Sequence, residues 1–481
     1  MRLGLSEQLE EAPMASGLPR LRGRNAKIVA TLGPGSRGAR TVQLLAEAGA
    51  DIFRLNFSHG SHEDHRRSLE AVRMAEKAIG RPLAVLADLQ GPKVRVGDFP
   101  DGKLKLTFGG TYALIAASET DQPETIPVPH PEILGALDVG DRILCNDGMI
   151  ILEVIKAGKH PVVKSDLPGE LGNRKGFTVQ GKALPVSALT EKDREDLDYA
   201  LEIGADLIAL SFVQSVADLN EAHAIIQGRA PLIAKLEKPA AIADLDAVVA
   251  AADGVMVARG DLGVEFPAEE VPIIQRRIVR TARSKGKPVI VATQMLESMI
   301  DNAAPTRAET GDVATAVYQG VDAVMLSAET AVGRHPATAV AIMGKIIQAT
   351  EHAEDYRDSL KQFMGDRSVE LTVDVIARAA QSLAYAEKAT ALALRTGSAL
   401  RLAQFSKHRG RYMILYGSAD EARLRKAQLL WGVHPIHVAN IEAGDWPVTL
   451  LKTAELDGSV AYAAWKGDDD EAAWEMGVRR G

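Results

Sequence analysis

The chain has 481 residues, a single cysteine and a formal net charge of -8, which allows two or three domains, each with its own core. The acidic balance argues against a nucleic-acid polyanion as the main partner, while local clusters of cations could still bind small anions. The lone Cys145 excludes an intrachain disulfide framework and a cysteine-rich metal site, fits a reducing compartment, and reads as a small buried apolar residue.

Residues 1–13 carry Glu7, Glu10 and Glu11 and no long apolar core, unlike a secretory signal. No charge-free apolar run is long enough to span a bilayer. A soluble cytoplasmic protein is expected, with a short, loosely held arm over residues 1–23.

Beyond the arm, short apolar runs follow one another: AKIVATLG, DIFRLNFS, LAVLADL, DLIALSFV, PLIAKLE, GVMVARGD, PVIVATQM and AVMLSAET, between residues 26 and 330. Several are preceded by an alanine-rich amphipathic stretch ending in glycine or alanine and then an acid, as in LLAEAGADIFRLN, ALEIGADLIALS, AVVAAADGVMVA and AVYQGVDAVMLS. Glycine suits a helix C-terminus, and the apolar run suits a buried parallel strand. Repeated helix-then-strand units predict a parallel sheet, and eight strands suit a closed barrel, with a doubly wound open sheet as the competing architecture.

Residues 96–185 change character. KLKLTF and MIILEV alternate polar and apolar residues, punctuated by Gly109, Gly110, Pro127, Pro129 and Pro161, as in a small β-domain. After residue 344, a helical pattern over 375–386 and strand-like ATALALRT, YMILYG and HPIHVA predict a further α/β unit. The acidic run 468–471 reads as a solvated turn. The expected fold class is α/β: a (β/α)8 TIM barrel (24–95 and 186–344) with an inserted small β-domain lid (96–185) and a C-terminal α/β domain (345–481).

Polar residues collect at the carboxyl ends of the strands, where barrel enzymes place their chemistry. In PLIAKLE, period-two alternation puts Lys235 and Glu237 on one side, facing the barrel mouth. The bland alternative is a plain ion pair. Glu237 can ligate a hard cation, and Lys235 can neutralise charge on a transferring group. The following strand runs into ARGDLGVE, where Gly260 admits close backbone approach and Asp261 adds a second carboxylate, a pair that suits Mg²⁺. Arg54 and Arg95 are natural phosphate clamps. Asn56, Ser58, Asp88 and Lys93 lie nearby in sequence, and His59 reads equally well as catalytic or as a structural turn residue. Thr293 and Ser327 offer hydroxyls for orienting water or relaying protons, with Glu329 one more carboxylate.

KIVATLGP, RLNFSHG, DLQGPKVR, LGNRKG, LTEKD, LSFV, AKLE, ARGDLGVE, ATQMLESM, PTRAE and LSAET stand in this order between about residues 24 and 350. In these motifs the chain resembles the pyruvate kinases, which move the phosphoryl group of phosphoenolpyruvate onto ADP. The resemblance implies Mg²⁺ (or Mn²⁺) on Glu237 and Asp261, Lys235 at the phosphoryl group in flight, and Arg54 and Arg95 on phosphate. It further implies Gly260, Asp261 and Thr293 at the substrate carboxylate, and Thr293 and Ser327 on the proton path. Pro34, His59 and Lys175 would border the nucleotide, and the assembly would be a homotetramer.

Two departures carry expectations. Many family members need K⁺ and have threonine, lysine and glutamate where this chain has Leu89, Gln90 and Lys93. A tethered ammonium near Asn56, Ser58 and Asp88 would replace the monovalent cation, so K⁺ is expected to be dispensable; an ordinary surface lysine is the alternative. The loop that binds a sugar phosphate in some relatives reads Thr396, Gly397, Ser398, Ala399, Leu400 and Arg401, without the family's glycine and second hydroxyl, and the last thirty or so residues lack a glycine-rich closing strand. Control by fructose 1,6-bisphosphate is therefore not expected. The rival readings are another barrel enzyme acting on phosphoenolpyruvate or pyruvate, which would not need a nucleotide site, and a non-catalytic metabolite sensor.

Overall fold

The computed structural model describes residues 21, 23–146, 148–182, 185–362, 372–441, 445–466 and 473–481. The arm over residues 1–23 falls almost wholly outside these, as does the acidic run 468–471.

Eight parallel strands close into a barrel: Lys27–Leu32, Ile52–Asn56, Ala84–Asp88, Leu207–Leu210, Leu232–Leu236, Gly254–Ala258, Val289–Ala292 and Ala323–Leu326. Closure through pairing of the first strand with both the second and the eighth rules out the open doubly wound sheet. These are the apolar runs of the sequence, each trimmed at its ends. Apart from half-buried Arg54 and Asn56 in the second, the strands are buried throughout, which is why they read as near-continuous apolar stretches.

Four of the intervening helices start on a capping box, in which a hydroxyl caps the helix amides and an acid three residues on reaches back. Ser61 with Asp64, Thr190 with Asp193, Ser215 with Asp218 and Thr306 with Glu309 form these boxes, each satisfying amides the helix leaves open. Two of the motifs noted in the sequence, LTEKD and PTRAE, are thus helix starts.

The repeated acid of the helix-to-strand units also has a physical role. Asp51 accepts from Ile28 N at 2.9 Å, Asp206 from Val85 N at 2.8 Å, Asp253 from Leu232 N at 2.9 Å and Asp322 from Val289 N at 3.0 Å. Each acid, just before an even-numbered strand, holds an amide at or near the start of the odd-numbered strand preceding it. The repeat is a clamp at the amino-terminal end of the barrel, the end associated with stability.

Inside the barrel lie Val29, Ile52, Ala84, Leu86, Leu207, Ala209, Ile233, Met256, Ile290, Ala292, Ala323 and Met325, with Leu429 from the C-terminal region packed among them. Period-two alternation then places Thr31, Arg54, Asp88, Ser211, Lys235 and Ser327 on the same side of their strands as this filling, one step toward the mouth. The barrel is packed with hydrocarbon below and finished with polar side chains above.

Between the third and fourth barrel strands the chain forms a six-stranded sheet and a two-stranded one around a separate apolar core that includes Leu114, Ile143, Cys145, Leu152 and Phe177. Cys145 is buried and its thiol is pushed up to about 12 by burial. Beyond the barrel, the expected helix runs Thr372–Ala386 and the expected strands Ala391–Arg395, Ile414–Ser418 and Val433–His437. They join a five-stranded sheet completed by Ser459–Lys466 and the antiparallel Ala473–Arg480. This closing pair was not expected from the sequence: its alanine-rich first strand carries a weak strand signal. No helix among the described residues is long and apolar enough to cross a membrane.

Candidate active site

Lys235 lies near the end of the fifth barrel strand, 9 % exposed. Its Nζ donates to Ser211 Oγ at 2.7 Å and stands 3.4 Å from Asp88 Oδ1 and 3.8 Å from Glu237 Oε2. Burial would lower the pKa of this ammonium, but Asp88, Glu237 and Asp261 around it raise it above its ordinary value, so it stays charged. Asp88, fully buried, is shared with Arg54, whose Nε donates to Asp88 Oδ2 at 2.6 Å. Burial works against the Asp88 carboxylate, yet Lys235 and Arg54 hold its pKa below the usual range. Arg54 Nη1 also reaches Thr31 Oγ1 at 3.3 Å, and Thr31 Oγ1 donates to Leu326 O at 2.8 Å. Thr31, Arg54, Asp88, Lys235 and Ser211 therefore form one connected network at the mouth.

Glu237 is differently placed. It is completely buried; Oε1 accepts from Phe212 N at 2.6 Å, while Oε2 has no hydrogen-bond partner among the described residues. Burial pushes its carboxyl up to about 7, opposed by Lys235 and reinforced by Asp261. A buried carboxylate oxygen left open is costly unless something fills its place. Asp261, the second carboxylate acting on Glu237, sits in the short helix Arg259–Glu265. Together they fit Mg²⁺, which typically takes one or two protein carboxylates and completes its shell with water and substrate oxygens. Among the described residues no group of three or more His, Cys, Asp or Glu could hold a metal.

Next to this pair, Gly260 N donates to Thr293 Oγ1 at 2.8 Å. Thr293 and Gln294 both have positive φ, 71° and 54°, a conformation uncommon for such residues. Arg259 holds them there: its guanidinium, nearly buried, donates to Thr293 O and Gln294 O and pairs with Asp312. Ser327 Oγ is buried and, like Glu237 Oε2, has no hydrogen-bond partner among the described residues. Glu329, by contrast, is spent on the backbone, accepting from Leu296 N at 3.1 Å and Ser327 N at 2.6 Å; it braces two loops together.

Glu237 and Asp261 line a cavity of about 40 Å³ with Lys93, Phe212, Lys238 and Glu265 from the barrel side and Gly176, Phe177 and Thr178 from the inserted β-domain. Exposed Lys93 lines the same cavity as Glu237 and Asp261, its Cε near Gly176 of the inserted β-domain, whereas Asp88 is taken by Arg54 and Lys235. Arg95 is also exposed and donates to Arg174 O at 2.9 Å, so it stands with the inserted β-domain and apart from the Arg54 network. Asn56 Oδ1 accepts from Ser58 N at 3.2 Å in the loop after the second strand. Leu89 is buried, its carbonyl accepting from Ser211 Oγ at 2.7 Å. Pro34, His59 and Lys175 are exposed.

Sequence reasoning missed Ser211, although LSFV was noted: a hydroxyl ending a buried strand was the available signal. It also missed Phe212 N, which no side-chain pattern can reveal, and Gly91. With φ at 71°, Gly91 lies where a Cβ would sit 2.6 Å from Phe212 Cδ2 and 2.9 Å from Ser211 Cβ, and its N–H donates to Asp193 Oδ1 at 2.9 Å. In the C-terminal sheet the Thr396 to Arg401 loop is closed on itself: Ser398 N donates to Thr396 Oγ1 at 3.2 Å, Ser398 Oγ accepts from Arg401 N at 3.3 Å, and the Arg401 guanidinium lies 3.6 Å from the Trp465 ring centroid.

Comparison with known proteins adds the following. A family model described as "Pyruvate kinase, barrel domain" matches residues 23–340. The chain is 43% identical over 412 residues to a pyruvate kinase of Agrobacterium vitis, covering 85% of this chain and 87% of that relative. It is 48% identical over 332 residues to a pyruvate kinase of Mycobacterium tuberculosis, covering 68% and 70% respectively. A crystal structure of a pyruvate kinase from Cryptosporidium parvum superposes with a TM-score of 0.89 at 30% identity, covering 95% of this chain and 96% of that one.

Proposed function

The chain belongs to the pyruvate kinase family, and we propose from that premise that the pocket around Lys235, Glu237 and Asp261 is where it works. It is a phosphotransferase that moves the phosphoryl group of phosphoenolpyruvate to ADP, giving pyruvate and ATP in the last step of glycolysis.

The observation that carries the assignment of residues is the open Oε2 of buried Glu237 beside Asp261 and Lys235. Glu237 and Asp261 would hold the divalent ion, which when bound supplies positive charge against substrate and phosphoryl oxygens. The family generally uses Mg²⁺ and K⁺; Mn²⁺ would serve in place of Mg²⁺ here. Lys235, kept charged by its acidic neighbours, meets the charge on the migrating group, and Arg54 grips its phosphate oxygens. Phosphoryl transfer needs alignment and charge neutralisation more than covalent help, and these residues provide both. The Gly260 and Asp261 backbone with Thr293 receives the substrate carboxylate. Arg95 acts from the lid side, meeting phosphate when the lid closes. Pro34, His59 and Lys175 border the nucleotide. The enolate left behind is protonated at carbon through Thr293, Ser327 and water, a role supported by the unpartnered hydroxyl of Ser327.

Lys93 supplies positive charge from the cavity wall beside Glu237 and Asp261, which makes K⁺ dispensable. Its charge complements the carboxylate pair more directly than the Asn56, Ser58, Asp88 and Leu89 region, where Asp88 already has two cations. Comparing turnover in potassium and tetramethylammonium buffers decides this: equal rates support Lys93 as the substitute, and a large stimulation by K⁺ contradicts it.

We further propose an arm (1–23), a barrel (24–95 and 186–344), a lid (96–185) and a C-terminal domain (345–481), in a cytoplasmic homotetramer without nucleic-acid or membrane partners. Light scattering on a sizing column tests the assembly. Insensitivity to fructose 1,6-bisphosphate is supported by the self-closed Thr396 to Arg401 loop, and a calorimetric titration with that sugar phosphate tests it. The experiment that bears most on the whole reading is a coupled lactate dehydrogenase assay with phosphoenolpyruvate, ADP and Mg²⁺, in which wild type turns over and Glu237→Gln does not.

A further inference from the structure

Lys238 follows Glu237 directly, outside every motif that marked the site. Its side chain is nearly buried and its ammonium makes two contacts. It forms an ion pair with Glu265 Oε1, and it stands 5.2 Å from the centroid of the Phe212 ring, within cation–π range.

Each contact leads to a different part of the pocket. Phe212 has φ of 56°, and this unusual backbone aims its N–H at Glu237 Oε1. A cation over the ring fixes the side chain of the very residue whose amide holds the carboxylate. Glu265 ends the short helix that carries Gly260 and Asp261, and its other oxygen accepts from Gly181 N of the inserted β-domain at 3.4 Å. One ammonium therefore touches the holder of Glu237, the helix of Asp261 and, through one carboxylate, the lid. Lys238, Phe212, Glu265, Glu237 and Asp261 all line the same cavity.

We propose that Lys238 is a positioning residue for phosphoryl transfer: through Phe212 and Glu265 it sets the spacing of Glu237 and Asp261 and ties that spacing to the placement of the lid. The inference rests on the reading of Glu237 and Asp261 as the metal carboxylates. Stability alone is a poor reason for such a pair, because replacing a buried ion pair with apolar residues of similar size is often neutral, while removing one partner strands a charge. Groups that orient metal ligands from behind, in contrast, govern how tightly the metal is held.

The test uses the full chain as wild type, Lys238→Met with Glu265→Leu, Lys238→Arg and, as a control on the metal reading, Glu237→Gln. For each, thermal midpoint, Mn²⁺ affinity by electron paramagnetic resonance, and kcat and KM for ADP are measured. The double variant should melt near wild type yet bind Mn²⁺ about tenfold more weakly, with KM for ADP raised by about tenfold and kcat at saturation changed by less than about threefold. Lys238→Arg should recover both affinities. Wild-type Mn²⁺ affinity and KM in the double variant would overturn the proposal and leave Lys238 a structural brace. If the double variant does not fold, Phe212→Leu removes the ring beneath the ammonium and leaves the ion pair; unchanged Mn²⁺ affinity there overturns the proposal equally. Should Glu237→Gln itself bind Mn²⁺ like wild type, the metal reading fails, which is a different result from failure of Lys238.

Discussion

The two ends of the barrel use the same materials for opposite purposes. At the amino-terminal end, buried acids are saturated: Asp51 accepts from Ile28 N and pairs with Arg24 at 2.7 Å, Asp206 accepts from Val85 N and pairs with Arg73 at 2.7 Å, and Asp322 accepts from Val289 N and pairs with Arg409 at 2.7 Å. At the carboxyl end, among the described residues, Glu237 keeps one oxygen open and Ser327 an unpartnered hydroxyl, and Lys235 is shared between acids without closing on any of them. A buried polar group that is fully paired holds the fold together. Among the described residues Arg283 Nε, Tyr356 OH and Trp431 Nε1 are also buried without a hydrogen-bond partner, so an orphan atom alone does not mark a site; an open carboxylate oxygen beside a second carboxylate and a buried ammonium does suit a cation. The acids of the lower end are paired by the protein itself; on the proposed reading, Glu237 at the upper end is completed by metal and substrate.

Substitutions that exchange the roles of the two ends should break this comparison. The largest effect is expected from Lys235→Met, which removes the charge proposed to meet the migrating group: turnover should fall by about 10³-fold or more, while Mn²⁺ binding stays within a few fold, as measured by steady-state kinetics beside a metal titration. Asp322→Asn should do the reverse. It leaves Arg409, 5 % exposed, without its carboxylate, and should cost about 3 kcal/mol or more of stability, read as a lower denaturant midpoint, with kcat per folded molecule unchanged.

Smaller changes sharpen the boundary. Gly91→Ala forces a Cβ against Phe212 and Ser211 at positive φ, which should cost about 2 kcal/mol and, because Phe212 N holds Glu237, weaken metal binding as well; a purely thermal effect would separate Gly91 from the site. The least effect per unit of change is in pH. The Glu237 carboxyl is pushed up to about 7 from its ordinary 4.5 by burial, with Lys235 opposing and Asp261 reinforcing. A carboxyl raised in the folded state keeps its proton more tightly there, so its contribution to stability is present at low pH and is lost as pH rises between 4.5 and about 7. The metal needs the carboxylate, so Mn²⁺ affinity should run the other way: level above about 7 and falling by about tenfold per pH unit below. A flat Mn²⁺ affinity between pH 5.5 and 8 would contradict a raised Glu237.

The sequence made the barrel legible because strands buried on both faces are almost wholly apolar, and because period two alone puts Lys235 above Ile233 and Arg54 above Ile52. The helix starts were written in local capping boxes. The saturation of the lower end was not legible: Arg409 meets Asp322 across 87 residues and Arg24 meets Asp51 across 27, and no local pattern pairs them. For the same reason the repeated acids were recognised as a repeat but not as clamps. At the upper end the acids and cations were found by type, yet their partition was not. Lys93 lines the cavity of Glu237 and Asp261 while Asp88 is occupied, Arg95 stays with the inserted β-domain, and Lys238 escaped notice because an ammonium next to a motif looks like any surface lysine until Glu265 and Phe212 are seen around it.

The division between the two ends is tested most directly by the Mn²⁺ affinity of Glu237→Gln and Asp51→Asn, measured side by side by electron paramagnetic resonance on folded protein. Glu237→Gln should bind the ion about a hundredfold more weakly or not detectably, and Asp51→Asn should bind it as wild type does. Equal affinities in the two variants would contradict the account.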